Sequence, residues 1–192
     1  MIMEKILFIN ACVRPNSRTL ELAKVLLKRL DGELREVSLQ ELSLPLLDAK
    51  GLEKRNRAVE TNDFSDPMFD LARQFAEADR IVIAAPYWDF MFPAVLKAYL
   101  ENVTVVGMTF FYSEDGRPRS LCRAKVLHYV TTAGGYIGQN DFGFSYVKAL
   151  AESFFEIKRT ERYAAEGLDI FGASVEEIMR KAKNEIASAE IV

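Results

Sequence analysis

Between Ala11 and Thr19 the chain reads Ala-Cys-Val-Arg-Pro-Asn-Ser-Arg-Thr, two hydroxyls and two arginines at the mouth of a helix-forming stretch. The first turn of a helix presents N–H groups with no intrahelical partner and the positive end of the helix dipole, which together suit an anion. Ser17 and Thr19 can add hydroxyl donors, and Arg14 or Arg18 can add charge-assisted bonds to phosphate oxygens. Asn16 or Ser17 could equally be a helix cap and nothing more. Neither GxxxxGK[ST] nor GxGxxG occurs here, which removes the common nucleotide loops. A second loop, Pro86-Tyr87-Trp88-Asp89-Phe90-Met91-Phe92-Pro93, places four aromatic residues within six positions, the only tryptophan among them. Aromatic residues mostly go to cores, but a wall of them at a ligand-binding edge suits a flat, apolar heterocycle. A third stretch, Thr131-Thr132-Ala133-Gly134-Gly135-Tyr136, pairs two glycines, which form a tight turn or let backbone N–H groups approach a ligand closely. An anion loop, an aromatic loop and a glycine loop together fit a phosphate tail joined to a flat ring, and a flavin has both.

Those loops need a scaffold that brings them together. Five β-rich runs alternate with helical ones. Lys5–Asn10, Arg80–Ala85 and Ala124–Val130 are nearly continuous in apolar character, as strands covered on both faces are. Glu33–Leu39 and Glu156–Tyr163 alternate, as edge strands do. Helices are expected over Ser17–Leu30, from Asp66-Pro67 through Ala78, over Pro93–Val103 and over Phe142–Phe155. A last one opens at the capping box Ser174-Val175-Glu176-Glu177. This alternation predicts one α/β domain spanning 1–192, a three-layer sandwich around a five-stranded parallel sheet. Such sheets bind ligands beyond the carboxyl ends of their strands, at the switch in strand order. The three loops follow the first, third and fourth strands and meet there. Gln40–Ser65, long and mixed, reads as an excursion lying over the sheet or reaching a partner subunit.

The bulk properties narrow the function. In 192 residues, 49% are hydrophobic and 28% charged, and the net charge is -3, which argues against nucleic acid or an anionic membrane as principal partner. Cys12 and Cys122 are far apart and only one histidine is present, too few ligands for a common zinc site. His128 sits within an apolar strand and reads as a core residue before a catalyst. No apolar run is long enough to span a bilayer, and Met1–Lys5 passes straight into a strand, which makes the cytoplasm the expected compartment.

The motifs in their order also carry a resemblance. The chain resembles the flavodoxin-like NAD(P)H-dependent quinone reductases, FMN reductases and FMN-dependent azoreductases over essentially its full length. Ala11–Thr19 is similar to their G-S-x-R-x-x-S-x-T phosphate loop, with alanine and cysteine in place of the first glycine and serine. Ala85–Phe90 and Leu96–Tyr99 resemble the A-P-x-x-x-F loop and the L-K-x-[YW] helix that follows it. Gly107–Gly116 looks like the azoreductase G-V-T-F-x-Y segment, and Thr131–Gly135 like the T-T-G-G loop at the flavin ring. The resemblance implies strand order 2-1-3-4-5 and FMN as cofactor, and FMN is favoured over FAD because no segment reads as an adenine pocket. It also implies NADH or NADPH as donor and a quinone, azo compound or related small acceptor. It implies hydride transfer in ping-pong fashion by a homodimer.

On that reading Cys12, Arg14, Ser17, Arg18 and Thr19 surround the phosphate. Pro86, Tyr87, Trp88, Asp89, Phe90, Thr132, Ala133, Gly134, Gly135 and Tyr136 surround the ring. Trp88 and Phe90 shape the substrate face, and Tyr112 reaches it from the partner subunit. Tyr136 is the one candidate for a catalytic side chain, and no histidine follows it where some quinone reductases have one. Cys12 stands where a hydroxyl would bind phosphate, and the helix N-terminus and Arg14 are expected to promote its thiolate. The competing reading is a flavodoxin-type electron carrier. Such carriers are strongly acidic and carry a T/S-x-T-G-x-T loop, and neither feature occurs here. A flavin-free structural subunit is a third.

Overall fold

A computed structural model describes residues 3–191; the start of the N-terminal stretch discussed above lies outside the described residues. Along the chain run β1 (Lys5–Asn10), α1 (Arg18–Leu27), β2 (Glu33–Ser38), α2 (Ala49–Thr61), α3 (Asp70–Glu77), β3 (Arg80–Ala84) and α4 (Ala94–Val103). They are followed by β4 (Phe110–Tyr112), β5 (Pro118–Ser120), β6 (Val126–Thr132), α5 (Phe142–Ser153), β7 (Arg159–Ala165) and α6 (Val175–Ser188). Five strands form one parallel sheet in the order β2-β1-β3-β6-β7. With the hairpin strands β4 and β5 set aside, this is the expected 2-1-3-4-5 order.

Apolar residues on both faces of the central strands dictate a layer of helices on each. Leu7, Ile9, Ile81, Ile83, Leu127 and Tyr129 face α3, α4 and α5 through Phe75, Leu96, Tyr99, Val147 and Ala151. Ile6, Phe8, Val82, Ala84 and Val130 face α1 and α6 through Leu22, Leu26, Met179, Ala182 and Ile186. Side chains alternate along a strand, so one run of apolar residues serves both cores.

Helix starts follow their caps. Ser17 Oγ accepts the Leu20 N–H (3.2 Å) and Ser174 Oγ accepts that of Glu177 (3.3 Å). Asp66 caps a 3-10 turn, Pro67–Phe69, that leads into α3. Pro93 sits at the cap of α4 rather than in its first turn.

Three segments differ from the sequence reading. β6 starts two residues later than expected and extends to Thr132, because Lys125 is still closing a loop onto the Asp79 carbonyl. β7 cannot include Glu156: that residue is left-handed (φ 48°) where the chain leaves α5, and the Ile157 N–H returns to the Ala151 carbonyl. The excursion at 40–65 contains a helix, α2, with Asp48 accepting the Gly51 N–H (2.8 Å) and left-handed Asn62 (φ 53°) ending it. Arg55 holds α2 to the end of α4 through the carbonyls of Glu101 (3.0 Å) and Thr104, so the excursion lies over the sheet's helical layer.

The Gly107–Gly116 segment opens an antiparallel hairpin, β4 with β5. It is rooted at the amino ends of the parallel strands: Arg119 pairs with Glu156 (3.2 Å), and the Arg123 N–H bonds the Ala76 carbonyl (3.0 Å). No helix among the described residues is long and apolar enough to cross a membrane.

Candidate functional site

The central strands end level with one another, with Asn10, Ala84 and Val130 side by side. The ladder continues past them through the Ala11 N–H to the Ala84 carbonyl (2.9 Å), Ala85 to Val130 (3.0 Å) and Tyr87 to Thr132 (3.0 Å). The loops that follow therefore leave the sheet from one edge. They enclose a cleft of about 280 Å³ lined by residues from all of them. Arg14, Ser17, Arg18 and Thr19 come from the first, Pro86, Tyr87 and Trp88 from the second, and Thr132, Ala133 and Gly134 from the third.

The amino end of α1 supplies the anion-binding part. Ser17 Oγ caps Leu20, its hydroxyl hydrogen being shared between Cys12 Sγ and the cleft, and the Arg18 and Thr19 N–H groups have no preceding turn to bond to. The Thr19 side chain is committed elsewhere. It is 1% exposed, and its Oγ1 lies 2.6 Å from Thr132 Oγ1, a bond that pins the start of α1 to the end of β6.

Cys12 departs from expectation. Its thiol is buried beside the Ala84 carbonyl (3.8 Å) and does not line the cleft. Burial, opposed only in part by a hydrogen bond with Ser17, pushes the thiol up to about 11, so the reading of a promoted thiolate is corrected. Cys122 is pushed up to about 12, again by burial. Because the thiolate is the reactive form, both cysteines are expected to resist iodoacetamide at pH 8 in the native protein and to react quickly once denatured. Mass counting of the adducts checks this, and rapid native labelling of Cys12 would refute the burial argument.

The aromatic loop is a two-residue hairpin turn. Trp88 and Met91 exchange both backbone bonds (3.0 and 2.7 Å), while Asp89 and Phe90 at the tip are left-handed, with φ 49° and 67°. Consecutive positive φ values make this a primed turn, which usually recruits Asn and Gly. Non-glycine residues held there are strained, and such strain collects at ligand sites. The turn projects Trp88 and Phe90 outward, 38% and 54% exposed. Tyr87 fixes its base by donating its hydroxyl to the Asn140 carbonyl (3.0 Å).

The glycine loop is held from the far side by the segment after β7. The carbonyls of Ala133, Gly134 and Gly135 accept the N–H groups of Leu168, Asp169 and Gly167 (3.2, 2.9 and 3.0 Å). The Ala133 N–H is itself spent on the Ala165 carbonyl (2.9 Å), so only the N–H groups of Gly134 and Gly135 remain for the other side. Arg162 adds an ionic brace: it reaches Asp141, the cap of α5, and Glu166 (each 2.7 Å), and Glu166 accepts the Ile137 N–H (3.0 Å). Its guanidinium and Ile137 hold the Glu166 carboxyl below its ordinary value against an upward push from burial. Tyr136 stands at the rim, 79% exposed, against Gly167.

Leu168 and Asp169 also line the cleft, and neither stood out in the sequence. The signal was positional, since the loop after the last strand also leaves by the carboxyl edge. Tyr112 is not brought to this cleft within one chain: it lies on the hairpin at the opposite end of the sheet.

His128 lies away from the loops, in a row with buried Arg80 and half-buried Glu161. Its Nε2 is 2.9 Å from the Arg80 guanidinium and its Nδ1 is 2.9 Å from Glu161. Arginine can only donate, so Nε2 carries a lone pair and the ring is neutral with its proton on Nδ1. Burial, reinforced by Arg80 and opposed by Glu161, holds the imidazole well below its ordinary value. This histidine is structural.

Residues 4–189 match the family described as Flavodoxin-like fold. The FMN-dependent NADH:quinone oxidoreductase of Clostridium perfringens (strain ATCC 13124) is 33% identical over 183 residues, 91% of this chain and 92% of that protein. Among solved structures, the azoreductase from Bacillus anthracis str. Sterne superposes with a TM-score of 0.84 at 24% identity, covering 96% of this chain and 97% of that one. The FMN-dependent NADH-azoreductase from Bacillus anthracis str. Ames Ancestor, in complex with FMN, gives 0.77 at 22% identity over 96% of each chain. Sheet order, the three loops and a relative matched nearly end to end agree, and the chain belongs to the flavodoxin-like family, with the FMN-dependent NADH:quinone oxidoreductases.

Proposed function

We propose that this chain, acting as one domain, is an FMN-dependent oxidoreductase that takes hydride from NAD(P)H and reduces quinones, azo compounds or related small acceptors. The observation that carries the reading is the single cleft in which the start of α1, the Trp88 turn and the Ala133–Gly134 loop meet. Its parts fit FMN in kind: unpaired helix N–H groups, a hydroxyl and two arginines for the phosphate, aromatic walls and backbone donors for the ring. The relative from Clostridium perfringens, named as FMN-dependent and NADH-using, supports the same assignment.

When bound, FMN supplies the hydride chemistry, and the protein supplies binding, orientation and electrostatics. Ser17, Arg14, Arg18 and the first-turn N–H groups hold the phosphate. The backbone N–H groups of Asp89 and Phe90 at the tip of their turn, and those of Gly134 and Gly135, would serve as hydrogen-bond donors to a bound flavin ring. Trp88, Phe90 and Tyr136 border the face at which donor and acceptor alternate, which makes ping-pong kinetics the expected pattern. No side-chain acid or base is required by this scheme. A homodimer would carry Tyr112 of one subunit to the other's cleft. The exposed Phe111 and Tyr112 on the hairpin and Leu46 and Leu52 around α2 support such an interface. The cytoplasm, where NAD(P)H is abundant, is the fitting compartment.

The purified protein should be yellow. Under anaerobic conditions NADH or NADPH should bleach it, and a quinone should restore the colour. A flavin that binds but is not reduced by either nucleotide would mark an electron carrier instead. A protein that takes up no FMN would end the proposal.

A further inference from the structure

We propose that Asp169 determines specificity for the flavin phosphate: its carboxylate shares Arg18 with that phosphate and sets how tightly FMN is held relative to riboflavin. The inference rests on the functional reading above.

The position of Asp169 is built by the backbone. Its N–H donates to the Gly134 carbonyl (2.9 Å), and the N–H of Leu168 before it donates to Ala133 (3.2 Å), so the segment is laid onto the glycine loop. The carboxylate then sits over Gly134, where an added Cβ would come within 2.4 Å of Asp169 Oδ2. Gly134 thus makes room for a side chain of this chain. From there Oδ1 reaches the Arg18 guanidinium at 3.0 Å, and both residues line the cleft at the amino end of α1.

A phosphate group at this helix end meets two opposed influences. Arg18 and the first-turn N–H groups attract it, while Asp169 repels it and competes for the same guanidinium. The two side chains are 42% and 71% exposed, so their pairing adds little to fold stability and Arg18 exchanges partners readily. A flavin without a phosphate feels neither effect. FMN is therefore held less tightly than the arginine alone would dictate, and exchange of the cofactor is built into the site.

The test is titration of the full-length chain, dialysed free of flavin, with FMN and with riboflavin, comparing the unaltered protein with Asp169→Asn. Asparagine keeps the size and the backbone bond to Gly134 and removes only the charge. The expected result is FMN binding tighter by about three- to tenfold, the scale of one exposed like-charge contact, with riboflavin unchanged. The gain should shrink with added salt and should be smaller, though not abolished, when Asp169→Asn is compared in an Arg18→Gln background, where the competition for the guanidinium is lost and the direct repulsion remains. Equal changes for both flavins, weaker FMN binding, or a gain as large without Arg18 as with it would each overturn the role of Asp169 alone. Failure of the unaltered chain to bind either flavin would instead overturn the functional reading, and this inference with it.

Discussion

Truncating Trp88 to alanine is expected to leave the protein folded and to lower kcat/KM for aromatic acceptors by about tenfold or more. The fold survives because the bonds that shape the turn belong to the main chains of Trp88 and Met91, and alanine makes both. The indole at the rim is 38% exposed and fills no core. What is lost is a flat wall for a flat substrate. An aromatic contact is worth about 0.5–1.5 kcal/mol beyond the area it buries, and about 1.4 kcal/mol of transition-state stabilisation is tenfold in rate. Ferricyanide, which takes electrons without stacking, should be reduced nearly as fast as before. Steady-state kinetics on both acceptors at saturating NAD(P)H separates the cases. Equal losses on both would place Trp88 in flavin binding rather than in the substrate wall.

The second large effect is far from the cleft. His128→Leu should cost about 2–4 kcal/mol of stability, because it removes a partner from both Arg80 and Glu161 inside the fold. Chemical denaturation measures the loss, and an unchanged midpoint would show that the row is dispensable. The same row gives the protein a pH dependence. The imidazole is neutral in the fold, held below its ordinary value chiefly by burial, whereas in the unfolded chain it titrates near 6.5. Below that pH the unfolded state binds the extra proton first. Stability is therefore fully present above about pH 6.5 and is lost as pH falls towards the folded-state value. This component should be missing in His128→Leu.

The scaffold was legible because its signals are local. Continuous apolar runs mark central strands, and Ser17, Asp66 and Ser174 mark helix starts, so β1 and the main helices fall where side-chain pattern puts them. The misses are equally physical. α2 buries only Ala58, so it has almost no apolar stripe, and only its caps, Asp48 and Asn62, announce it. Glu156 belongs to a strand by composition but to a helix exit by backbone. Within the site, loop chemistry and strand order suffice to bring Ser17, Trp88 and Gly134 together. Sequence could not show that Thr19 spends its hydroxyl on Thr132 or that the Cys12 thiol turns inward, because both depend on which face a residue presents once the layers pack. Asp169 was invisible for a related reason: its role arises from a contact with a residue 151 positions away.

The cleft joins segments that are remote in sequence, from Arg14 to Asp169, through a few bonds such as Thr19 with Thr132 and Tyr87 with Asn140. Anything seated there acts as a clasp across the open edge of the sheet. It binds the folded chain and not the unfolded one, so it draws the folding equilibrium towards the native state by mass action, about 2.7 kcal/mol at a free concentration one hundred times its Kd. How long the chain survives heat or proteolysis would then follow the supply of its cofactor, and a cell short of flavin would hold less of this protein as well as less of its activity.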